Sequence, residues 1–348
     1  MRQPPFITLS AFMQIEYNKS LKSFNTFGID VIASSYIKVT TVLELKEVLL
    51  TNKNQALFIL NGGSNMLLTK DIHALVVHIA IKGIIEKKKD ENSVIISAGA
   101  GENWHDFVLY CISKNYGGVE NLSLIPGNVG SAPIQNIGAY GVELKDVFDS
   151  CTAIEIATGE ERIFDNDECN FGYRESVFKN NLKGKYVITE VSFQLTTQVH
   201  KININYGAIK NELENKDEDP GIKQISDAVI TIRQQKLPDP SKIGNGGSFF
   251  KNPVVARKVL KSIQKNYENV PFYKVDEQFA KIPAGWLIEK AGFKGKRWKD
   301  AGVHKNEALV LINYGTATGS EILEVARNIQ KKVQQQFQIS LETEVNIF

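Results

Sequence analysis

Ile125-Pro126-Gly127-Asn128-Val129-Gly130-Ser131-Ala132-Pro133-Ile134-Gln135-Asn136-Ile137-Gly138-Ala139-Tyr140-Gly141 is the stretch on which the reading of this chain turns. It has glycines at 127, 130, 138 and 141, prolines at 126 and 133, and no charged side chain. Such a composition builds a core poorly, because glycine brings no side-chain area and proline no backbone donor. It does let the backbone approach a ligand closely and turn its N–H groups toward a pyrophosphate.

Upstream, Asn61-Gly62-Gly63-Ser64-Asn65 follows the short apolar run 56–60. Alone, this pentapeptide reads more readily as a turn than as a phosphate cradle. Paired with 125–141 it shifts toward the cradle, where small residues after a strand expose backbone donors. The dinucleotide fingerprint G-x-G-x-x-G and the P-loop G-x-x-x-x-G-K-[ST] are both absent, which argues against a Rossmann NAD site or an ATPase and calls for a different nucleotide-binding fold.

The flanking pattern reads as α+β. Residues 36–40 alternate as a strand, Thr41 and Glu44 form a capping box, and an apolar stripe to 50 predicts a helix before the strand 56–60. The same sheet is expected to continue through 75–79 and 94–98, with Glu86-Lys87-Lys88-Lys89-Asp90-Glu91 as a solvated turn. Phe107, Val108, Cys111 and Ile112 predict a helix over 103–115, and 150–157 and 185–195 read as strands of a mixed sheet. A helix over about 222–236 leads to Leu237-Pro238-Asp239-Pro240, a domain boundary. Asn252-Pro253 is expected to open one helix and Pro283 another, with Gly292 closing the latter. Residues 308–312 read as a strand, and Thr318 with Glu321 caps a terminal helix reaching Phe337.

With 348 residues the chain has room for roughly two to three domains, and we place them at 13–84, 85–232 and 233–348. Forty-one Lys and Arg against 39 Asp and Glu leave a charge of +2, too little for a nucleic-acid footprint. Cys111, Cys151 and Cys169 form no C-x-x-C pair, so neither a disulfide framework nor a zinc site is expected, and a reducing cytoplasm fits. His73, His78, His105, His200 and His304 never fall at helical ligand spacing, and no metal is expected. No apolar run approaches the roughly 18–20 residues of a membrane span, and no secretory leader is legible. Met13 is expected to be the native start, with 1–12 an upstream extension.

Gly244-Asn245-Gly246-Gly247-Ser248-Phe249-Phe250-Lys251-Asn252-Pro253 surrounds one hydroxyl with flexible backbone, two rings, a cation and an amide. A tight turn with an incidental serine and a reactive site are both open. A hydrolase nucleophile is disfavoured, since G-x-S-x-G lacks its second glycine here. Arg174 in Phe171-Gly172-Tyr173-Arg174-Glu175-Ser176, and Glu342 and Glu344 near the end, read from spacing alone as surface residues.

At these residues, however, the chain resembles the UDP-N-acetylenolpyruvoylglucosamine reductase (MurB) family. The resemblance runs from Leu21 to Val345 and rests on many ordered blocks. They include Phe24-Asn25-Thr26-Phe27-Gly28-Ile29, Gly62-Gly63-Ser64-Asn65-Met66-Leu67-Leu68, the 125–141 stretch, Gly172-Tyr173-Arg174, Leu237-Pro238-Asp239-Pro240, Gly246 through Pro253, Ala284-Gly285-Trp286-Leu287-Ile288, 304–313 and Leu341-Glu342-Thr343-Glu344-Val345.

The resemblance implies an FAD-binding fold of the vanillyl-alcohol oxidase (PCMH) type in two lobes, plus a C-terminal α+β substrate-binding domain whose last segment returns to the active site. It implies non-covalent FAD, held by Asn61, Gly62, Gly63, Ser64 and Asn65 and by Pro126, Gly127, Gly130, Ser131, Gln135, Asn136, Gly138, Ala139 and Tyr140. NADPH is then the co-substrate and UDP-N-acetylglucosamine enolpyruvate the substrate. Ser248 becomes the proton donor, with Arg174 and Glu344 stabilising the intermediate. Substrate contacts fall on Lys236, Asn252, Tyr273, Lys281, Lys294 and Glu307, and Tyr206 matches the loop tyrosine of the tyrosine-loop subtype. Two departures stand out: the family often continues past a glycine beyond Phe348, and relatives can carry an amide at Glu307. A cytoplasmic monomer is expected, without nucleic-acid partners or membrane insertion. The competing readings are an FAD oxidase or dehydrogenase of the same fold, which would lack Gly247-Ser248-Phe249 and often carry a flavin-attaching histidine, and a catalytically silent nucleotide-binding protein.

Overall fold

The computed structural model describes residues 14–205, 207–213 and 220–348. The expected start at Met13 and the loop tyrosine Tyr206 lie outside the described residues. The chain divides into two compact units. The first holds the described residues through Lys19 with Ala33–Gly62 and Ile72–Arg233; the second holds Ser20–Ile32, Gly63–Asp71 and Gln234–Phe348.

A parallel sheet opens the first unit. Ile32–Val39 pairs with Ile72–Ile79, which pairs in turn with Leu57–Leu60. Parallel strands need a crossover, and helix Val42–Thr51 supplies the one from Ile32–Val39 to Leu57–Leu60, on either side of Ile72–Ile79. Its start is the capping box read in the sequence: the Glu44 N–H donates to Thr41 Oγ1 at 3.1 Å, and the Thr41 N–H donates to the Glu44 carboxylate at 3.2 Å. Leu45, Val48 and Leu49 then pack on Ile37, Val39, Leu75 and Val77. Burying each of these side chains contributes about 1.5–3 kcal/mol, which is what holds so short a helix.

The second sheet of this unit is antiparallel, in the order Glu161–Asp165, Phe148–Glu155, Tyr186–Thr196, Ser93–Gly99, Ile84–Lys89. Helix Trp104–Ser113, capped by Asn103, lies on it. The Phe107 and Phe193 rings sit 4.7 Å apart, and the Trp104 indole N–H donates to the Leu122 carbonyl at 2.9 Å.

In the second unit, Gly244–Ser248, Val310–Asn313, Ala301–Val303 and Arg297–Trp298 form an antiparallel sheet. Helix Gly319–Phe337 buries Ile322, Val325, Ile329, Val333 and Phe337, the stripe expected of it. A smaller sheet places Phe279–Lys281 between Val254–Ala256 and Tyr273–Lys274.

Three expectations are corrected. Residues 93–99 do not extend the sheet of 72–79; they pair with Tyr186–Thr196 in the antiparallel sheet. The Glu86–Lys89 portion of the charged run is not a turn but part of edge strand Ile84–Lys89, whose side chains face water and so tolerate charge. Asn252-Pro253 opens no helix: Val254–Ala256 is a strand and the helix begins at Arg257. The Asn252 amide oxygen accepts instead from the Ala284 N–H at 2.8 Å, so it caps helix Ala284–Lys290 from 32 residues away in sequence.

Candidate active site

Asn61 and Gly62 meet the 125–141 segment in the first unit. A Cβ on Gly62 would lie 2.6 Å from the Asn128 nitrogen and 2.8 Å from the Gly127 Cα, so only glycine lets these backbones touch. A Cβ on Gly130 would fall 2.8 Å from the Asn61 amide nitrogen and 2.4 Å from the Ala100 Cβ. Asn61 donates to the Ala100 carbonyl at 3.2 Å, yet its own Oδ1 is buried with no hydrogen-bond partner among the described residues. A buried amide oxygen without a donor costs about 1–3 kcal/mol, a cost that a ligand N–H or O–H would remove. Close-set backbones and an orphaned acceptor fit a dinucleotide cofactor.

The far end of the 125–141 segment grips Arg174. Gly172 and Glu175 exchange backbone hydrogen bonds of 3.0 and 3.2 Å, closing a two-residue turn over Tyr173 and Arg174. Arg174 sits at φ +58°, a left-handed conformation that costs a non-glycine residue about 1 kcal/mol or more. Its guanidinium donates to the Gly138 carbonyl at 2.7 Å, and a Cβ on Gly138 would stand 3.0 Å from that guanidinium. The Asn136 amide fixes the turn by donating to the Gly172 carbonyl at 3.0 Å.

Sequence reasoning passed over Arg233. Its Nε donates to the Leu124 carbonyl at 3.2 Å and its guanidinium hydrogen-bonds the Tyr140 hydroxyl. Burial pulls this guanidinium below its ordinary value; Tyr140 opposes that shift, and the nearby Arg174 charge adds to it. Burial pushes the Tyr140 phenol up, against the pull of Arg233. Two guanidinium groups beside uncharged, glycine-rich backbone make this end of the segment anion-seeking. The available signal was one cation beside Ile232, on a helix whose other inward positions are apolar except Ser226.

The second unit joins Ser248 to Glu344. Gly247, at φ +69°, turns the chain into Ser248, which pairs with Val310 across an irregular register. Asn245 steadies that turn by accepting the Gly247 N–H at 2.9 Å. One residue on, the Phe249 carbonyl accepts the Glu344 N–H at 2.8 Å, and the Lys251 N–H donates to the Glu342 carbonyl at 2.9 Å. Ser248 and Glu344 thus lie on segments joined by a single antiparallel bridge, Phe250 to Thr343, both side chains partly exposed. Arg174 belongs to the other unit.

The remaining expected contacts divide. Lys281 pairs with both Val254 and Tyr273, which gathers Lys281, Tyr273 and the Asn252 loop around one small sheet. Glu307 lies beside Gly285, whose added Cβ would meet its carboxylate at 3.1 Å. Lys294 is ion-paired to Glu289 at 2.9 Å, and Lys236 is exposed at the end of its helix. Among the described residues no cluster of His, Cys, Asp or Glu could hold a metal ion, and no helix is long and apolar enough to cross a membrane.

Two families match the chain: "FAD binding domain" over residues 33–165 and "UDP-N-acetylenolpyruvoylglucosamine reductase, C-terminal domain" over residues 239–348. A UDP-N-acetylenolpyruvoylglucosamine reductase of Flavobacterium johnsoniae is 57% identical over 96% of this chain and 100% of its own length. The protein of that name in Amoebophilus asiaticus is 48% identical over 96% of this chain and 99% of its own. The crystal structure of UDP-N-acetylenolpyruvylglucosamine reductase from Thermus caldophilus shares the fold, with TM-score 0.67 and 23% identity over 97% of this chain and all of that one.

Proposed function

Since the chain belongs to the UDP-N-acetylenolpyruvoylglucosamine reductase family, we infer that it reduces UDP-N-acetylglucosamine enolpyruvate to UDP-N-acetylmuramate, a step of peptidoglycan precursor synthesis. When bound, FAD would supply the hydride chemistry, from NADPH to the terminal enolpyruvyl carbon. Everything else in the reaction falls to side chains of this protein.

Asn61, Gly62, Gly63, Ser64 and Asn65, with 126–140, would hold the cofactor through backbone donors and the orphaned Asn61 oxygen. Arg174 is our choice for the substrate carboxylate. A guanidinium binds carboxylate in bidentate fashion and stays cationic, so it strengthens its hold as negative charge develops there. The Gly138 carbonyl at 2.7 Å occupies one edge of that fork and orients the other.

Ser248 then gives its hydroxyl proton to the carbon next to the carboxylate, and water replaces that proton. A serine is a weak acid, but a carbanion-like enolate is basic enough to take it. Glu344, whose N–H bonds the carbonyl of Phe249 next to Ser248, would orient that exchange. The nucleotide half of the substrate is assigned to Asn252, Tyr273, Lys281 and Glu307, with Lys236 and Lys294 approaching the phosphates; Lys294 would have to exchange its Glu289 partner for them. We assign the protein to the cytoplasm as a monomer, for which light scattering should give 38.8 kDa.

The observation that carries the reading is 57% identity along the whole of a reductase of that name, with Arg174, Ser248 and Glu344 all present. The direct test is NADPH oxidation by the purified flavoprotein, with and without the enolpyruvyl sugar. Oxidation dependent on that sugar, with a product two mass units heavier, supports the assignment; oxidation of a simple alcohol or lactone instead would replace it with the oxidase reading.

A further inference from the structure

The end of the chain is threaded between two strands of the second unit, and Glu344 is the residue at which it changes partner. Upstream, Leu341 is tied to the terminal helix by the Gln330 amide, which donates to its carbonyl at 2.8 Å. The Glu344 N–H then points to one side, into the Phe249 carbonyl at 2.8 Å. Its carbonyl accepts the side-chain amide of Asn65 at 3.2 Å, from the glycine-rich loop. Beyond it the chain pairs with Met66–Leu67, with Asn346 opposite Met66. Phe348 closes the run by donating to the Leu67 carbonyl at 2.9 Å.

Asn346 makes the crossing tight. Its backbone N–H and its side-chain amide both donate to one oxygen, the Asn65 carbonyl, at 3.2 and 3.0 Å. Asn65 thus holds the acid-bearing segment on either side of Val345, by its own side chain at the Glu344 carbonyl and by its carbonyl at Asn346. The parallel pair is only two residues long, so the asparagine contacts add to the Phe249, Leu67 and Thr69 backbone bonds in placing Glu344.

We propose that Asn65 and Asn346 form a clasp that couples the state of the glycine-rich loop to the position of Glu344, Asn346 being a positioning residue. The loop that would cradle the cofactor pyrophosphate and the strand that carries the acid share one carbonyl. Ordering the loop by a bound dinucleotide then orders the acid, and an empty loop leaves it loose. This rests on the assignment of the loop to FAD and of Glu344 to substrate reduction.

Asn346→Asp tests it, because the carboxylate keeps the size of the amide but cannot donate to a carbonyl. Amide hydrogen exchange of residues 341–348 is measured with and without FAD, for the wild type and the variant. The clasp requires FAD to slow exchange in the wild type at least about fivefold, and much less in Asn346→Asp. In the holoenzyme the variant should retain its FAD and its rate of reduction by NADPH. Its rate of reoxidation by the enolpyruvyl sugar should fall about tenfold, with the pH profile of that step displaced, and Asn346→Ser, which restores a donor, should recover part of the loss. Exchange at 341–348 that ignores FAD in the wild type overturns the coupling whatever the activity. Wild-type reoxidation rate and pH profile in Asn346→Asp, or a loss that merely follows loss of FAD, overturns the positioning role. A wild type that the sugar cannot reoxidise, with exchange still responding to FAD, would sink the assigned reaction and leave the coupling intact.

Discussion

Gly62→Ala puts a methyl group where the structure has backbone. The added carbon would lie 2.6 Å from the Asn128 nitrogen and 2.8 and 2.9 Å from the Cα and carbonyl carbon of Gly127. None of these is the end of a flexible side chain. To reach ordinary contact, one glycine-rich segment must retreat by about 0.8 Å, and overpacking of this kind costs about 1–3 kcal/mol of stability. The same retreat draws backbone donors away from a bound pyrophosphate. A hydrogen bond to a charged group is worth about 1.5–3 kcal/mol, so losing one weakens FAD binding about 10- to 100-fold. Titration of apoprotein with FAD, read by flavin fluorescence, gives the dissociation constant, and urea unfolding gives the stability. Gly221→Ala is the control, because its methyl would meet only the flexible end of Gln224. If Gly62→Ala binds FAD within twofold of wild type, the abutting glycine segments are not the cofactor cradle.

Three further outcomes are expected. Ser248→Ala should leave reduction by NADPH unchanged in anaerobic stopped flow while slowing the following substrate-dependent reoxidation about 10²- to 10⁴-fold, as loss of a positioned acid does. Arg174→Lys keeps the charge but not the fork that also binds the Gly138 carbonyl, and should lower kcat about 10²-fold or more, with little recovery at high substrate concentration. His78, whose Nδ1 lies 2.7 Å from the Tyr36 hydroxyl, is pushed down to about 4, chiefly by burial and then by Lys38. A histidine held below its unfolded value stabilises the fold fully above pH 6.5 and loses that contribution as pH falls from 6.5 to about 4. With allowance for partial solvent screening this amounts to about 1–2 kcal/mol, seen as a steeper acid loss of urea stability in wild type than in His78→Gln.

Local signals in the sequence survived folding, and signals that depend on distant partners did not. Both capping boxes, Thr41 with Glu44 and Thr318 with Glu321, mark real helix starts because each is completed within four residues. Helix Ile222–Lys236 was legible for the same reason, its apolar stripe being a property of its own period. The split of 72–79 and 93–99 between two sheets was not, since one pairs with Ile32–Val39 and the other with Tyr186–Thr196, nearly 100 residues on. Asn252 misled because an N-cap is recognised by the residues directly after it, and here the capped helix begins at Ala284. In the candidate site, glycine spacing was readable along the chain, while Arg233 looked like any helix cation until Tyr140 was folded onto it.

Hydride transfer from NADPH through one flavin to an enolpyruvyl sugar is the activity from which every role above follows. Anaerobic absorbance of the purified holoprotein tests it most directly. One equivalent of NADPH should bleach the oxidised-flavin band, and UDP-N-acetylglucosamine enolpyruvate should then restore it without oxygen. A band that bleaches but stays bleached after the sugar is added would contradict the account.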